Sequence, residues 1–477
     1  MDVLTARDMR KVTSFLSETK QHCEMSACGL TLNIGRQRLT SDNWQKLLNQ
    51  ATDWRLLDRQ RSMVAGDIVN PSEGRRALHT SLRATNPQAP YYEEVQAVLN
   101  RMKDFARDVR EGKRLGAAGA RITDVINIGI GGSEMGPHAV YHALREAKPA
   151  IRLHFLSAVD GVLLDRILAQ LDPKTTLSVI SSKSFSTRET MLNAEEILAW
   201  YQSAGIDRDH GLDRHVVLVS AKQSACETMG LPEENRFPMW DWVGGRFSVW
   251  GAIGLPLLIA LGEETFKEFL AGAEAMDAHV LQASPEKNLP LTLALLAYWN
   301  ATELKMGTHC LLPYDERLRL SVAWLQQLEM ESLGKSVTAD GALISGVTGQ
   351  GVWGGFGNEA QHSFYQWLRD GTWRTSIDLI WCDEPGHSHL HHHKVLNANA
   401  KAQAEALVKR EHPSTEYFNA VSTLTIDKLT PFTLGALMAM YEHKTTLLAF
   451  IYGLNAFDQP AVEYGKKLCR ELEAKLG

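Results

Sequence analysis

Four segments of this chain carry residue types whose spacing suits work on a small anionic ligand. Trp240-Asp-Trp-Val-Gly-Gly-Arg-Phe-Ser-Val-Trp250 sets Arg246 behind a Gly-Gly pair. Such a pair lets backbone approach a ligand closely, and the guanidinium brings a permanent positive charge to that spot. Gly129-Ile-Gly-Gly-Ser-Glu-Met-Gly136 follows an apolar strand and leads into a helix predicted from about Pro137, so its free N–H groups face any anion placed there. The turn is no dinucleotide fingerprint, because Glu134 stands where the last glycine is required, and no Gly-Lys-Ser/Thr makes it a P-loop. Ser181-Ser-Lys-Ser-Phe-Ser-Thr187 offers the hydroxyls of Ser182, Ser184 and Thr187 beside Lys183, ahead of a helix at Glu189. Three hydroxyls and a lysine exceed what one helix cap uses and suit a phosphate monoester. Near the C-terminus, Gln459, Glu463 and Lys466 follow each other at spacings of four and three, which places them on one helix face.

Two further segments add titratable groups. Trp353-Gly-Gly-Phe-Gly-Asn-Glu-Ala-Gln-His-Ser-Phe364 is glycine-rich ahead of a helix, with Glu359 its only carboxylate. Glu384-Pro-Gly-His-Ser-His-Leu-His-His-His393 supplies five imidazoles, for which a metal site is an alternative reading.

These residues need elements to hold them. At 477 residues two domains are expected, and a hydrophobic share of 44% is that of a soluble globular protein. Lys+Arg 50 against Asp+Glu 56, net charge −6, gives no basic excess and argues against nucleic acid. Six scattered cysteines without a CxxC pair suggest reduced thiols and a cytoplasmic location. The start, Met-Asp-Val-Leu-Thr-Ala-Arg, lacks a secretion pattern, and the longest apolar run, Val249 to Gly262, is short of the ~20 residues of a membrane span. It reads as a buried helix.

Up to about Arg121 the pattern is mostly helical. Short apolar runs then alternate with amphipathic stretches. Strands are expected at Val125–Ile130, Leu153–Leu156, Thr176–Ile180 and Val216–Ser220, with helices at Asp160–Leu171 and Glu189–Tyr201 between them. After about Lys287 the rhythm returns, with strands at His309–Leu312, Gly351–Trp353 and Ile377–Trp381. The alternation predicts two α/β domains, each a mostly parallel sheet flanked by helices. Boundaries are placed at 1–120 for a helical N-terminal extension, 121–285 for the first domain and 286–477 for the second with a C-terminal helix.

Together these segments, with Asn70–Arg83 (NPSEGRRALHTSLR), Leu325–Lys335 (LQQLEMESLGK) and Leu429–Lys444 (LTPFTLGALMAMYEHK), resemble the phosphoglucose isomerase family nearly end to end. The resemblance implies two sugar-isomerase-type domains, a homodimer with its active site at the subunit boundary, no cofactor, and interconversion of glucose 6-phosphate and fructose 6-phosphate. It implies a phosphate loop of Ser182, Lys183, Ser184 and Thr187, sugar contacts from Gly132 and Ser133, and Arg246 as the cation that stabilises an enediolate. Gln459 and Lys466 match family positions. His387, with His389 as fallback, is the expected histidine for ring opening alongside Lys466. The family pattern Trp-Gly-Glu-Pro-Gly-Thr-Asn-Gly-Gln-His is expected to hold the proton-shuttling base at its glutamate, where this chain has Gly355. Glu359 is therefore expected to act as the base, with Glu189 second. Two rivals are a catalytically silent sugar-phosphate sensor and an isomerase of a related sugar such as mannose 6-phosphate.

Overall fold

The computed structural model describes residues 23–408 and 419–476, so the first 22 residues of the expected N-terminal extension, with the start of the chain, lie outside the described residues. Strands β1 (Glu24–Ala27) and β2 (Leu30–Arg36) come first, and a short ribbon β3 (Ile68–Asn70) and β4 (Arg75–Arg76) comes next. Then come β5 (Asp124–Ile128), β6 (Arg152–Leu156), β7 (Thr176–Ser181), β8 (Val216–Ser220) and β9 (Arg236–Pro238). The second run is β10 (Thr308–Pro313), β11 (Gly351–Gly354), β12 (Ser376–Cys382) and β13 (Ala420–Ile426).

One five-stranded sheet has the order β6-β5-β7-β8-β9, all parallel. Its central strands are buried at every residue and mostly apolar, as expected of strands covered on both faces. The other sheet has the order β1-β2-β13-β12-β10-β11, with β10 to β13 parallel and the β1–β2 hairpin added antiparallel on β13. The expected α/β class with two mostly parallel sheets is thus what the chain adopts. The hairpin was hidden in a stretch read as helical: Leu30, Leu32 and Ile34 alternate inward on it, but the run is short and its partner is ~390 residues away in sequence, where local pattern carries no signal.

Four helices anchor the loops around the switch between strands and the core beneath them. Helix α1 (Arg188–Ser203) follows β7, α2 (Glu263–Gln282) and α3 (Pro431–Tyr452) cross in the core, and α4 (Pro460–Leu476) ends the described chain. The apolar run at Val249 to Gly262 is buried as expected, forming a helical turn at Ala252–Gly254 and a helix at Leu255–Leu261. Helix α3 is buried around its circumference, and Gly272 of α2 and Gly435 of α3 permit the crossing. A Cβ on Gly272 would stand 1.7 Å from the Phe432 carbonyl oxygen, and one on Gly435 2.0 Å from that of Phe269.

Helix α3 also carries charge into the interior. Arg83 donates to Asp277 and to Glu442, both at 2.6 Å, while Trp250 Nε1 donates to Glu442 at 2.8 Å. His443 Nε2 lies 2.6 Å from Asp277. One buried guanidinium therefore ties the 79–83 turn, the Trp250 segment, α2 and α3 together. Although burial raises the Asp277 carboxyl, Arg83 outweighs it and holds the pKa down at about 2. A carboxyl held down in the folded state adds stability above its unfolded value and loses it as pH falls, so this contribution should fade between about pH 4 and 2. Arg83→Met leaves Asp277 and Glu442 without their cation, and denaturant unfolding should show a loss of about 3–5 kcal/mol. A loss below about 1 kcal/mol would contradict this role.

Candidate active site

The first sheet fixes where a ligand can sit. From β5 the chain moves outward to β6 on one side, then returns past β5 to β7 on the other. The crevice between the carboxyl ends of β5 and β7 is therefore a topological switch point, the place where open α/β sheets receive ligands. Both loops singled out by composition lie there: the turn Gly131–Ser133 after β5 and the Ser181–Thr187 segment after β7.

Ser182 is buried and its hydroxyl points to Thr187 Oγ1 at 3.4 Å, while the Ser186 and Ser184 hydroxyls are 3.0 Å apart. Thr187 is the N-cap of α1 but makes no side-chain cap bond, which leaves the first N–H groups of that helix to another acceptor. Lys183 differs from expectation. Its ammonium donates to the carbonyls of Asp241 and Val243, both at 2.8 Å, so two of its three donors brace the Trp240–Arg246 loop instead of facing a ligand. Burial, with Arg75 next, pushes its pKa down.

Gly132 explains how that loop reaches the crevice. A Cβ there would stand 2.1 Å from the carbonyl carbon and oxygen of Gly245 and 2.6 Å from the Arg246 nitrogen. Only a residue without a side chain lets the two turns touch. Gly131, at φ +62°, supplies the left-handed conformation just before it.

The Arg246 side chain is 2% exposed. Its Nε donates to Ser332 Oγ at 2.7 Å, Nη1 to Gln459 Oε1 at 3.1 Å, and Nη2 to the carbonyls of Ala456 and of Asp458, the latter at 3.2 Å. Glu331 Oε2 lies 3.3 Å from Nη1. Burial pushes the Arg246 pKa down, and Glu331 and then Asp458 oppose it. Glu331 also accepts from Gln327 at 3.2 Å. The segment bearing both changes from α-helix to a π-turn at Gln326–Met330, a local widening common at functional sites. It sends Glu329 inward to Lys444 at 2.7 Å and Glu331 outward to Arg246.

The structure thus brings Gly132, Arg246 and Gln459 together with the Ser182–Thr187 loop on the same edge, and Ser133 closes the glycine turn with its carbonyl held by Asn127 at 2.9 Å. It does not bring Glu359 to Arg246. The Glu359 carboxylate is exposed and takes both arms of Arg319, at 2.9 and 2.8 Å, and this hydrogen bonding lowers its pKa. His387 also lies elsewhere, exposed in the loop after β12 with its Nδ1 accepting the His389 N–H at 3.1 Å. Its ring neighbours are His389 and His393, and among the described residues no group of three His, Cys, Asp or Glu is arranged to hold a metal ion. Lys466 sits on the exposed surface of α4, and the Glu463 side chain lies outside the described residues. Glu189 occupies the first turn of α1. The residue that reading the sequence for chemistry missed is Glu331, although it stands inside the Leu325–Lys335 run.

Fold and site together define a two-sheet α/β protein with a crevice at a switch point and a buried arginine beside it. The family model described as phosphoglucose isomerase matches residues 33–477. The chain is 44% identical to a glucose-6-phosphate isomerase of Burkholderia lata, over 94% of this chain and 86% of that protein. A glucose-6-phosphate isomerase of Burkholderia multivorans is 43% identical over 94% of this chain and 87% of its own. Among solved structures, a glucose-6-phosphate isomerase from Chlamydia trachomatis superposes with a TM-score of 0.86 at 31% identity, covering 98% of this chain and 93% of that one. The chain belongs to the phosphoglucose isomerase family.

The contact at Gly132 yields a direct test. Gly132→Ala should fold, since the added methyl sits at a loop contact, but displacing the Gly245–Arg246 backbone should lower kcat/KM for fructose 6-phosphate by about 100-fold. Steady-state kinetics on the folded variant, checked by circular dichroism, reads this; activity within about threefold of wild type would refute the close-contact role.

Proposed function

We infer that this chain interconverts glucose 6-phosphate and fructose 6-phosphate through an enediolate. The observation that carries the chemistry is the Glu331 carboxylate 3.3 Å from the buried Arg246 guanidinium. An aldose–ketose isomerase needs one base to lift a proton from C2 and return it to C1, and one cation beside the oxygen that gains charge meanwhile. A preorganised guanidinium in a water-poor site supplies the second. Glu331 supplies the first, so the change at Gly355 removes no base and the rival of a silent sensor loses its motive.

The phosphate is assigned to Ser182, Ser184, Thr187 and the open first turn of α1, supported by their place at the switch point. Lys183 holds the neighbouring loop and adds its charge at one remove. Gly132, Ser133 and Gln459 are assigned to the sugar.

Ring opening needs a proton donor to the ring oxygen and an acceptor for the anomeric hydroxyl. Among the described residues no imidazole bonds the Arg246 cluster, so a histidine from a second copy is proposed, in a homodimer with shared sites. His362 is the first choice. It is exposed and ends the Trp353–His362 segment at the carboxyl end of β11, whereas one nitrogen of His387 is already used within its own loop. Lys466 is kept as its partner. The free cysteines and the composition support a cytoplasmic location. Among the described residues no helix is long and apolar enough to cross a membrane.

Fructose 6-phosphate conversion, coupled to glucose-6-phosphate dehydrogenase, tests the assignment. Glu331→Gln should lower kcat by about 10²–10⁴-fold, while Glu359→Gln should stay within about threefold of wild type. The reverse pattern would restore Glu359 as the base. Run beside them, His362→Ala should lose more activity than His387→Ala on the cyclic substrate, and equal activity in both would reject His362.

A further inference from the structure

Lys335 follows the segment that carries Glu331, and its side chain is only 8% exposed. Its ammonium donates to the carbonyls of Glu331 at 3.0 Å and Ser332 at 2.8 Å, groups at a helix end with no partner of their own in the helix. It also faces Asp458 Oδ1 at 3.4 Å. The second carboxylate oxygen of Asp458 accepts from Asn455 at 2.9 Å and from Ser72, within the Asn70–Glu73 loop. The Asp458 carbonyl and the Ser332 hydroxyl are themselves acceptors for Arg246. A single ammonium therefore grips the backbone of Glu331 and Ser332 and the side chain of Asp458, three of the residues that surround Arg246.

We propose that Lys335 is a positioning residue for the isomerisation, fixing the Glu331 carboxylate against the Arg246 guanidinium without itself moving a proton of the sugar. The inference rests on Glu331 as the base. Its physical sense lies in the connectivity: residues 331–332 and 456–459 come from separate elements, and Lys335 is a second cation, beside Arg246, that joins them. The charged groups facing it are Arg246, Asp458 and Glu331. Burial, and then Arg246, bring its pKa down to about 8, against the pull of Asp458 and Glu331. The ammonium is intact below that value and discharged above it, so the clamp should loosen, and kcat decline, as pH rises through about 8.

Lys335→Met keeps most of the stem and removes the charge. In folded protein, verified by circular dichroism and thermal melting, kcat for fructose 6-phosphate should drop at least about tenfold while KM moves less than about threefold. A kcat within about twofold of wild type would overturn the proposal. A loss seen only in the yield of folded enzyme, with normal kcat per folded chain, would also overturn it. Should Lys335→Met fail to fold, Asp458→Asn serves instead. It removes the carboxylate that supports the ammonium, so the alkaline fall in kcat should move to lower pH, and an unmoved alkaline limb would overturn the proposal. Glu331→Gln separates this idea from the one beneath it: an active Glu331→Gln enzyme defeats the base assignment, whereas an inactive one beside a normal Lys335→Met enzyme defeats only the positioning role.

Discussion

A guanidinium taken out of water must find partners for its charge and its five donors, and the arrangement around Arg246 is the consequence. Its acceptors come from the Ser332 helix end, the 456–458 carbonyls and Gln459, and its countercharge from Glu331. None of these groups is close to Arg246 in sequence. The same contacts that make burial tolerable also bring the first sheet, the π-turn segment and the start of α4 to one point. Stabilising a buried cation and bringing these distant segments together are here one physical event.

Three features keep that point in place. Gly132 lets the β5 loop touch the Gly245–Arg246 backbone, which no side chain would permit. Lys183 ties the β7 loop to the carbonyls at 241 and 243. The Arg83–Asp277–Glu442 cluster fixes Trp250, four residues beyond Arg246, to the core helices. Each uses a buried polar group or a missing side chain to hold a loop that would otherwise have little apolar surface to anchor it.

Much of this was legible in the sequence. Strands β5, β7, β8, β10 and β12 are short, mostly apolar runs between longer helical stretches, and such runs announce buried parallel strands. Gly132 and Arg246 stood out because glycine pairs and isolated charges in apolar segments have few structural reasons to exist, and Gln459 because of its spacing with Glu463 and Lys466. Residues 24–36 did not reveal themselves, because their strand partner is β13 and long-range pairing leaves no local trace. Glu331 was concealed for a related reason. It lies in a helical run with Glu329 two positions earlier, and only the π-turn and the distant Arg246 separate the carboxylate paired with Lys444 from the one beside Arg246. Glu359 drew attention as the sole acid in a glycine-rich loop, a pattern that cannot disclose that Arg319, forty residues away in sequence, holds it.

The role proposed for Arg246 is to meet charge that develops during reaction, not the sugar phosphate at rest. A five-carbon aldonic acid phosphate presents a planar carboxylate where the enediolate would form, and its binding can be compared with that of fructose 6-phosphate by titration calorimetry. Arg246→Lys keeps a cation but loses the planar fork. This variant should bind the aldonate about 100-fold more weakly while its affinity for fructose 6-phosphate changes only a few-fold. Equal weakening of both ligands would contradict it and reduce Arg246 to a general substrate-binding group.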